Sequence, residues 1–214
     1  DAGCDACVME VSSLGLRMDR VTGIEYDVGV FTNLSPDHIG PGEHASFAEY
    51  RAWKSVLFRR CRVGVVNADD PQTEAILTQH SCRVVTYGMD HPADWRAGAD
   101  FCLQQQPGFL GVDFSAAGPD GIFRPYRIAM PGRFSICNAL AALAVAGVLD
   151  LPADAVRRGL AQATVEGRVQ PVPLVAPFTV VIAYAHNDAA AENLLATLRA
   201  DRPQPLVVVF GCGG

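Results

Sequence analysis

The chain has 214 residues, half of them apolar, with a formal net charge of −6 and a pI near 5.3. That length and composition support a full core, as one large domain or one domain plus part of another. The acidic balance argues against nucleic acid or an anionic membrane as the main partner. No apolar run approaches the roughly 20 residues that span a bilayer, and the opening stretch Asp1–Ser13 lacks the basic and apolar regions of a signal peptide.

Seven cysteines (4, 7, 61, 82, 102, 137 and 212) are scattered without framework spacing, which predicts reduced thiols in a cytosolic protein. Cys4-x-x-Cys7 is the one pair with metal-like or redox-like spacing. No second such pair or histidine pair completes a zinc site, so the pair reads as ordinary.

In chain order, the pattern predicts strand Ala6–Val11, strand Val28–Asn33 and helix Ser46–Phe58, opened by a capping box of Ser46 and Glu49. Strand Val63–Asn67, helix Gln72–Gln79 and strand Arg83–Tyr87 follow. The strands are continuous apolar runs, as in parallel sheets covered on both faces. From Ala99 to Met130 the character changes. Phe101–Gln105, Phe109–Phe114 and Ile122–Ile128 read as antiparallel strands joined by Gln-Pro-Gly and Gly-Pro-Asp-Gly turns, an insertion on the sheet edge. Helices Ser135–Leu149 and Ala153–Gln162 come next, the second started by Pro152. Val165–Phe178 holds three prolines and no helical period, and marks a domain boundary. Beyond it, strand Val180–Ala185, helix Ala189–Ala200 and strand Leu206–Phe210 make one βαβ unit, too short to stand alone, so a truncated second domain is expected. The class is α/β with a mostly parallel, doubly wound sheet.

Three segments carry candidate chemistry. Glu10, Ser12 and Ser13 end the first predicted strand, where open α/β sheets place ligands. A carboxylate beside two hydroxyls can hold a hard cation and a phosphate oxygen, although an acidic residue at a strand end is more often merely solvated. Thr32–His38 crowds an imidazole, a carboxylate, an amide and two hydroxyls after the second strand, which turn chemistry also explains. Lys54 shares a helix face with Phe47, Tyr50 and Leu57, where a snorkelling amine is the plain alternative. Asn67-Ala68-Asp69-Asp70-Pro71 is explained by capping.

Taken in order, Glu10–Ser13, Phe31–His38, the helix holding Ala48–Phe58, and Val65–Pro71 resemble the central domain of the Mur (muramyl-peptide) ligase family. The likeness continues through Pro131–Phe134, Asn138–Ala142, Val165–Arg168, Tyr184–Asn187 and Phe210–Gly214, and so spans the chain. Within the family it is nearest the members that add a third amino acid to a UDP-N-acetylmuramoyl dipeptide. The resemblance implies a P-loop-NTPase-like central domain over residues 1–168, and the start of a Rossmann-like C-terminal domain over 169–214. It implies a monomeric cytoplasmic enzyme that uses ATP and Mg2+, acting on a UDP-N-acetylmuramoyl-peptide and an amino acid, with no nucleic-acid or membrane partner.

By the same resemblance, Glu10 and His38 hold Mg2+, Ser12 and Arg20 grip the UDP-sugar substrate, and Lys54 is carried as a carbamate that binds a second Mg2+ and orients His38. Asn33 and Asn138 serve the nucleotide, Asn138 at the adenine. Arg168 reaches the ATP phosphates, and Tyr184 and His186 line the cleft between the domains. Three positions depart from the family pattern: Leu14 follows Glu10–Ser13 in place of His, Ala183 replaces an Asp that helps hold ATP, and Ile39–His44 replaces the more common Asp-Tyr-His-Gly pattern. No G-x-x-x-x-G-K-[ST] occurs. The family carries that loop upstream of Glu10, so a fragment is expected that neither hydrolyses ATP nor binds it tightly. A polyglutamate- or cyanophycin-type ligase and a non-catalytic binding protein stay open as alternatives.

Overall fold

The computed structural model describes residues 3–37, 39–106, 109–172, 178–185, 188–199 and 205–211, and the chain forms two compact units, residues 1–94 and 95–214. In the first unit, β1 (Tyr26–Phe31), β2 (Cys61–Asn67) and β3 (Arg83–Gly88) run parallel in sequence order, with Val28 opposite Val63 and Val63 opposite Arg83. A short α1 (Ser13–Arg17) precedes β1. The crossover to β2 is α2 (Phe47–Ser55), which tightens into a 3-10 turn over Val56–Arg59, and the crossover to β3 contains α3 (Thr73–Ile76).

Central strand β2 reads as an apolar run because both its faces are covered. Val65 and Val66 are wholly buried. Phe31, Leu34, Tyr50, Phe58 and Ile76 pack around it with the thiols of Cys61 and Cys82. Burial pushes the Cys61 thiol up to about 12, helped by the neighbouring Cys82, so it behaves as a small protonated core residue. At the start of α2, Ser46 Oγ accepts the Glu49 N–H at 3.2 Å, as a capping box requires. The return bond differs from expectation: the Glu49 carboxylate accepts from Ala45 N at 2.7 Å, one residue before the cap.

The carboxyl ends of the three strands are stitched together by side chains of the turn after β2. Asn67 Nδ2 donates to the Thr32 carbonyl at 2.8 Å, and Asp70 accepts from Leu34 N at 2.9 Å, so both act on the segment after β1. Tyr87 of β3, wholly buried, donates its hydroxyl to the Phe31 carbonyl at 3.0 Å. The Asp69 carboxylate accepts from the backbone N–H groups of Met89 (2.5 Å), His91 (2.8 Å) and Asp90 (3.1 Å) after β3.

The second unit contains an antiparallel meander: β4 (Trp95–Gln106), β5 (Phe109–Ala117) and β6 (Arg124–Ile128), with Phe101 opposite Phe114 and Phe114 opposite Tyr126. Helix α4 (Arg133–Val148) is mostly apolar and packs on all three strands with Ile136, Leu140, Leu143 and Ala144 inside. Its Gly147 is dictated by contact: a Cβ there would lie 2.5 Å from the Trp95 ring. Helix α5 (Ala153–Gln162) covers β6. Beyond it, β7 (Gln170–Pro171) pairs antiparallel with β8 (Val181–Ile182), and α6 (Asp188–Arg199) follows.

The α/β class holds, with the parallel strands in the first unit and the antiparallel insertion in the second. Several expected boundaries move. Residues 6–11 and 206–210 belong to no helix or ladder, and Val8, Val207 and Val209 stand almost fully exposed. Apolar β-branched residues favour extension, yet a strand needs a neighbour's N–H and C=O groups, and no described segment supplies them. Val180–Ala185 contracts to the two-residue β8. Gln72–Gln79 contracts to the four residues of α3, where the Thr73 hydroxyl bonds the Asn67 carbonyl. No described helix is long and apolar enough to cross a membrane.

Because Asn67 is buried and serves two segments, Asn67→Ala is expected to destabilise the protein by about 1–3 kcal/mol. Urea unfolding should show a lowered midpoint at unchanged slope. An unaltered midpoint would show that the stitch contributes nothing.

Candidate functional site

The residues before and within α1 begin the candidate site. Glu10 is exposed. Ser12 caps α1, its hydroxyl accepting the Gly15 N–H at 2.9 Å. Arg20 lies exposed just past the helix, its backbone N–H bonded to the Gly15 carbonyl at 3.0 Å and its guanidinium 3.3 Å from Met18 Sδ. The Ser12 oxygen thus already serves a cap.

Lys54, on the last turn of α2, is the one lysine of a chain whose lysines and arginines total 17. Its ammonium lies over the Tyr50 ring at 5.2 Å from the centroid. Burial lowers its pKa from the ordinary lysine value, and the Glu10 carboxylate opposes that shift. Glu10 and Lys54 therefore act on each other electrostatically, and the amine is partly withdrawn from water.

Asn33 is exposed at the end of β1, between two anchored neighbours, since Thr32 and Leu34 are held by Asn67 and Asp70. His38 and His186 lie outside the described residues, and so does Cys212. The pairing of Glu10 with His38 is therefore not part of the described geometry. Among the described residues no three His, Cys, Asp or Glu side chains gather as a metal ion would require. Cys4 and Cys7 are exposed free thiols.

In the second unit, Asn138 is exposed on α4. Arg168 stacks its guanidinium on the Tyr184 ring at 4.8 Å from the centroid and donates to the Tyr184 carbonyl at 3.3 Å. That contact ties the segment before β7 to the one after β8, and leaves the guanidinium exposed.

Two features escaped the sequence. The Asn67–Asp70 turn, explained there by capping, also fixes the backbone around Asn33. The second is His44, at the end of the loop read only as a departure: it is wholly buried, with Nε2 2.9 Å from Ser13 Oγ. A buried imidazole leaves no periodic signal, so no pattern could have found it.

Asp69 gives the first unit a defined response to acid. Burial would raise its carboxyl, but the N–H groups of Met89, His91 and Asp90 and the His91 ring outweigh that and hold it below the ordinary aspartate value of 3.8. A pKa depressed by folding adds stability that is present above the unfolded value and is lost as pH falls through the folded one. Asp69→Asn is therefore expected to lower Tm clearly at about pH 7 and much less at about pH 3. Thermal melts across that range check it, and an equal loss at both ends contradicts it.

Comparison with known proteins identifies the family. Residues 1–146 match the model for the Mur ligase middle domain, and residues 167–214 match the model for the Mur ligase glutamate ligase domain. The whole chain aligns at 35% identity with the UDP-N-acetylmuramoyl-L-alanyl-D-glutamate–2,6-diaminopimelate ligase of Clostridium perfringens, covering 44% of it. It aligns at 36% identity with the enzyme of the same name from Streptomyces coelicolor, covering 42% of that protein. A solved structure titled as such a ligase superposes with a TM-score of 0.73 at 26% identity, over 95% of this chain and 42% of the other. The chain thus spans less than half the length of these relatives. With the middle-domain model matched over more than half of its residues, the chain belongs to the Mur ligase family.

Proposed function

We propose that this chain is the central part of an ATP-dependent carboxylate–amine ligase of peptidoglycan-precursor synthesis, working in the cytoplasm. Its substrate would be a UDP-N-acetylmuramoyl dipeptide, and the names of its relatives support 2,6-diaminopimelate as the incoming amine. The γ-phosphoryl group of ATP passes to the substrate carboxylate, giving an acyl phosphate and ADP. The amine then attacks the carbonyl carbon, phosphate leaves, a proton is lost and the amide remains. Little covalent chemistry falls to the protein, whose work is positioning and neutralising charge.

The observation that carries this reading is Lys54. Its amine is half-buried with a lowered pKa, it acts on the Glu10 carboxylate, and it is the one lysine of the chain. A neutral amine is what reaction with carbon dioxide needs: the nitrogen lone pair bonds the carbon, and a proton leaves. The product is a carbamate, an anion with two hard oxygens in place of a cation. That anion would act on the Glu10 carboxylate, and two such groups require a cation. The donor set therefore suits Mg2+, with Glu10, His38 and carbamylated Lys54 as the residues that would hold it. When bound, the ion would neutralise charge on the phosphoryl oxygens and the substrate carboxylate. Ser12 and Arg20 would orient the UDP-sugar substrate, Asn33, Asn138 and His186 the nucleotide, and Arg168 its phosphates.

In the full-length enzyme, Lys54→Ala is expected to lower kcat roughly 100-fold, the scale for losing one preorganised electrostatic group. Added acetate should restore part of the rate. The assay is ADP release dependent on UDP-N-acetylmuramoyl dipeptide and diaminopimelate. A variant that keeps wild-type activity sinks the carbamate reading, and a wild type that ignores this substrate pair sinks the ligase assignment.

A further inference from the structure

His44 is a wholly buried polar side chain of the first unit. It is 0% exposed, as against 4% for its partner Ser13. Its Nε2 lies 2.9 Å from Ser13 Oγ, and its ring tilts 34° against Tyr50 with centroids 5.3 Å apart. Its Nδ1 is 3.9 Å from Glu49 Oε1, beyond hydrogen-bond reach, and has no hydrogen-bond partner among the described residues. Glu49 is already engaged by the Ala45 N–H at 2.7 Å and by Arg17 at 3.8 Å. The backbone of His44 is fixed as well, its carbonyl accepting from Gly40 N at 3.2 Å.

Such an imidazole is an unfavourable core residue. Leaving one ring nitrogen buried and unbonded costs about 1–3 kcal/mol, and a phenylalanine would fill much the same space without that cost. What the imidazole supplies is a polar bond to one element and a packed face to another. Ser13 is the first residue of α1, next to Ser12 and three residues from Glu10. Tyr50 lies one turn before Lys54 on α2 and holds its ammonium over the ring. The path Ser13–His44–Tyr50 thus joins the Glu10–Ser12 segment to Lys54 through side chains shielded from water.

We propose that His44 is a positioning residue that fixes the spacing between the Glu10–Ser12 segment and Lys54. This inference rests on the ligase reading above for its kinetic consequence, and on this chain alone for its structural one. Groups that orient metal- and substrate-binding side chains without touching the ligand typically change affinity or activity 10- to 100-fold when lost.

Two measurements test it. In the full-length enzyme, His44→Phe and Ser13→Ala are expected to raise the half-saturating Mg2+ concentration and the KM for the UDP-N-acetylmuramoyl dipeptide by about tenfold. His44→Gln, whose amide can reach Ser13, should recover most of that loss. If the variants lower only Tm, with both constants unchanged, or if His44→Gln is no better than His44→Phe, His44 merely fills space and the proposal fails. The second measurement does not depend on ligase activity. Lys54 is the only lysine, so 13C-lysine labelling of the 214-residue chain gives a single side-chain set of NMR signals. Ser13→Ala and His44→Phe should shift the Lys54 Cε signal, and His44→Gln should leave it near the wild-type position. An unmoved signal in a folded Ser13→Ala protein overturns the coupling even where His44→Phe fails to fold. An inactive wild type with shifted signals would fail the ligase assignment and leave the positioning role standing.

Discussion

Three parallel strands of the first unit end at different residues, and one turn, Asn67–Asp70, bonds to the segments that leave the other two. Asn67 and Asp70 hold the backbone on both sides of Asn33, while Asp69 gathers three backbone N–H groups beyond β3. Backbone groups past a strand end have no ladder partners, and burying them unbonded costs as much as losing a hydrogen bond. Carboxylates and an amide placed at consecutive positions satisfy those groups. They also turn the carboxyl edge of the sheet, where α/β ligand sites form, into a rigid rim. A charge-assisted bond from a carboxylate to several N–H groups is stronger than a neutral one, which explains why this rim uses Asp where caps alone would accept Ser or Asn.

On the other side of the candidate site the constraint is packing. Helix α2 presents Tyr50 inward and Lys54 half inward, so that the aromatic ring and the ammonium share one face. Elsewhere the chain uses arginine for every permanent cation. Arginine stays charged at any ordinary pH, whereas a lysine shifts its pKa readily when buried. A single lysine, partly withdrawn from water, is a group whose pKa burial lowers even against an opposing carboxylate. Helix α1 is tied to the loop before α2, where Arg17 donates to the Glu43 carbonyl at 2.5 Å and His44 reaches Ser13.

The second unit is organised differently. Its antiparallel strands are aligned by side-chain pairs across the ladder, as where Arg127 meets Asp113 through two bonds of 2.6 and 2.7 Å. Its core is a mostly apolar helix laid on the sheet, with Trp95 reaching Gly147. After that core come the β7–β8 pairing and the stack of Arg168 on Tyr184.

By itself the sequence determined the elements whose cause is local. Helices α4 and α5 and strands β2 and β3 were legible because apolar spacing, capping residues and turn signals act over a few neighbours. The order of short motifs from Glu10 to Phe210 was legible too, since each is contiguous, and it pointed to the family. Tertiary structure alone decided the rest. Ala6–Val11 and Leu206–Phe210 have strand composition, yet ladders depend on a partner that composition cannot provide. Asn67–Asp70 read as a cap because capping and cross-strand stitching use the same residue types. His44 was silent for a different reason. Its partners Ser13 and Tyr50 stand 31 residues before it and six after it, and only the packing of α1 against α2 brings them to one buried ring.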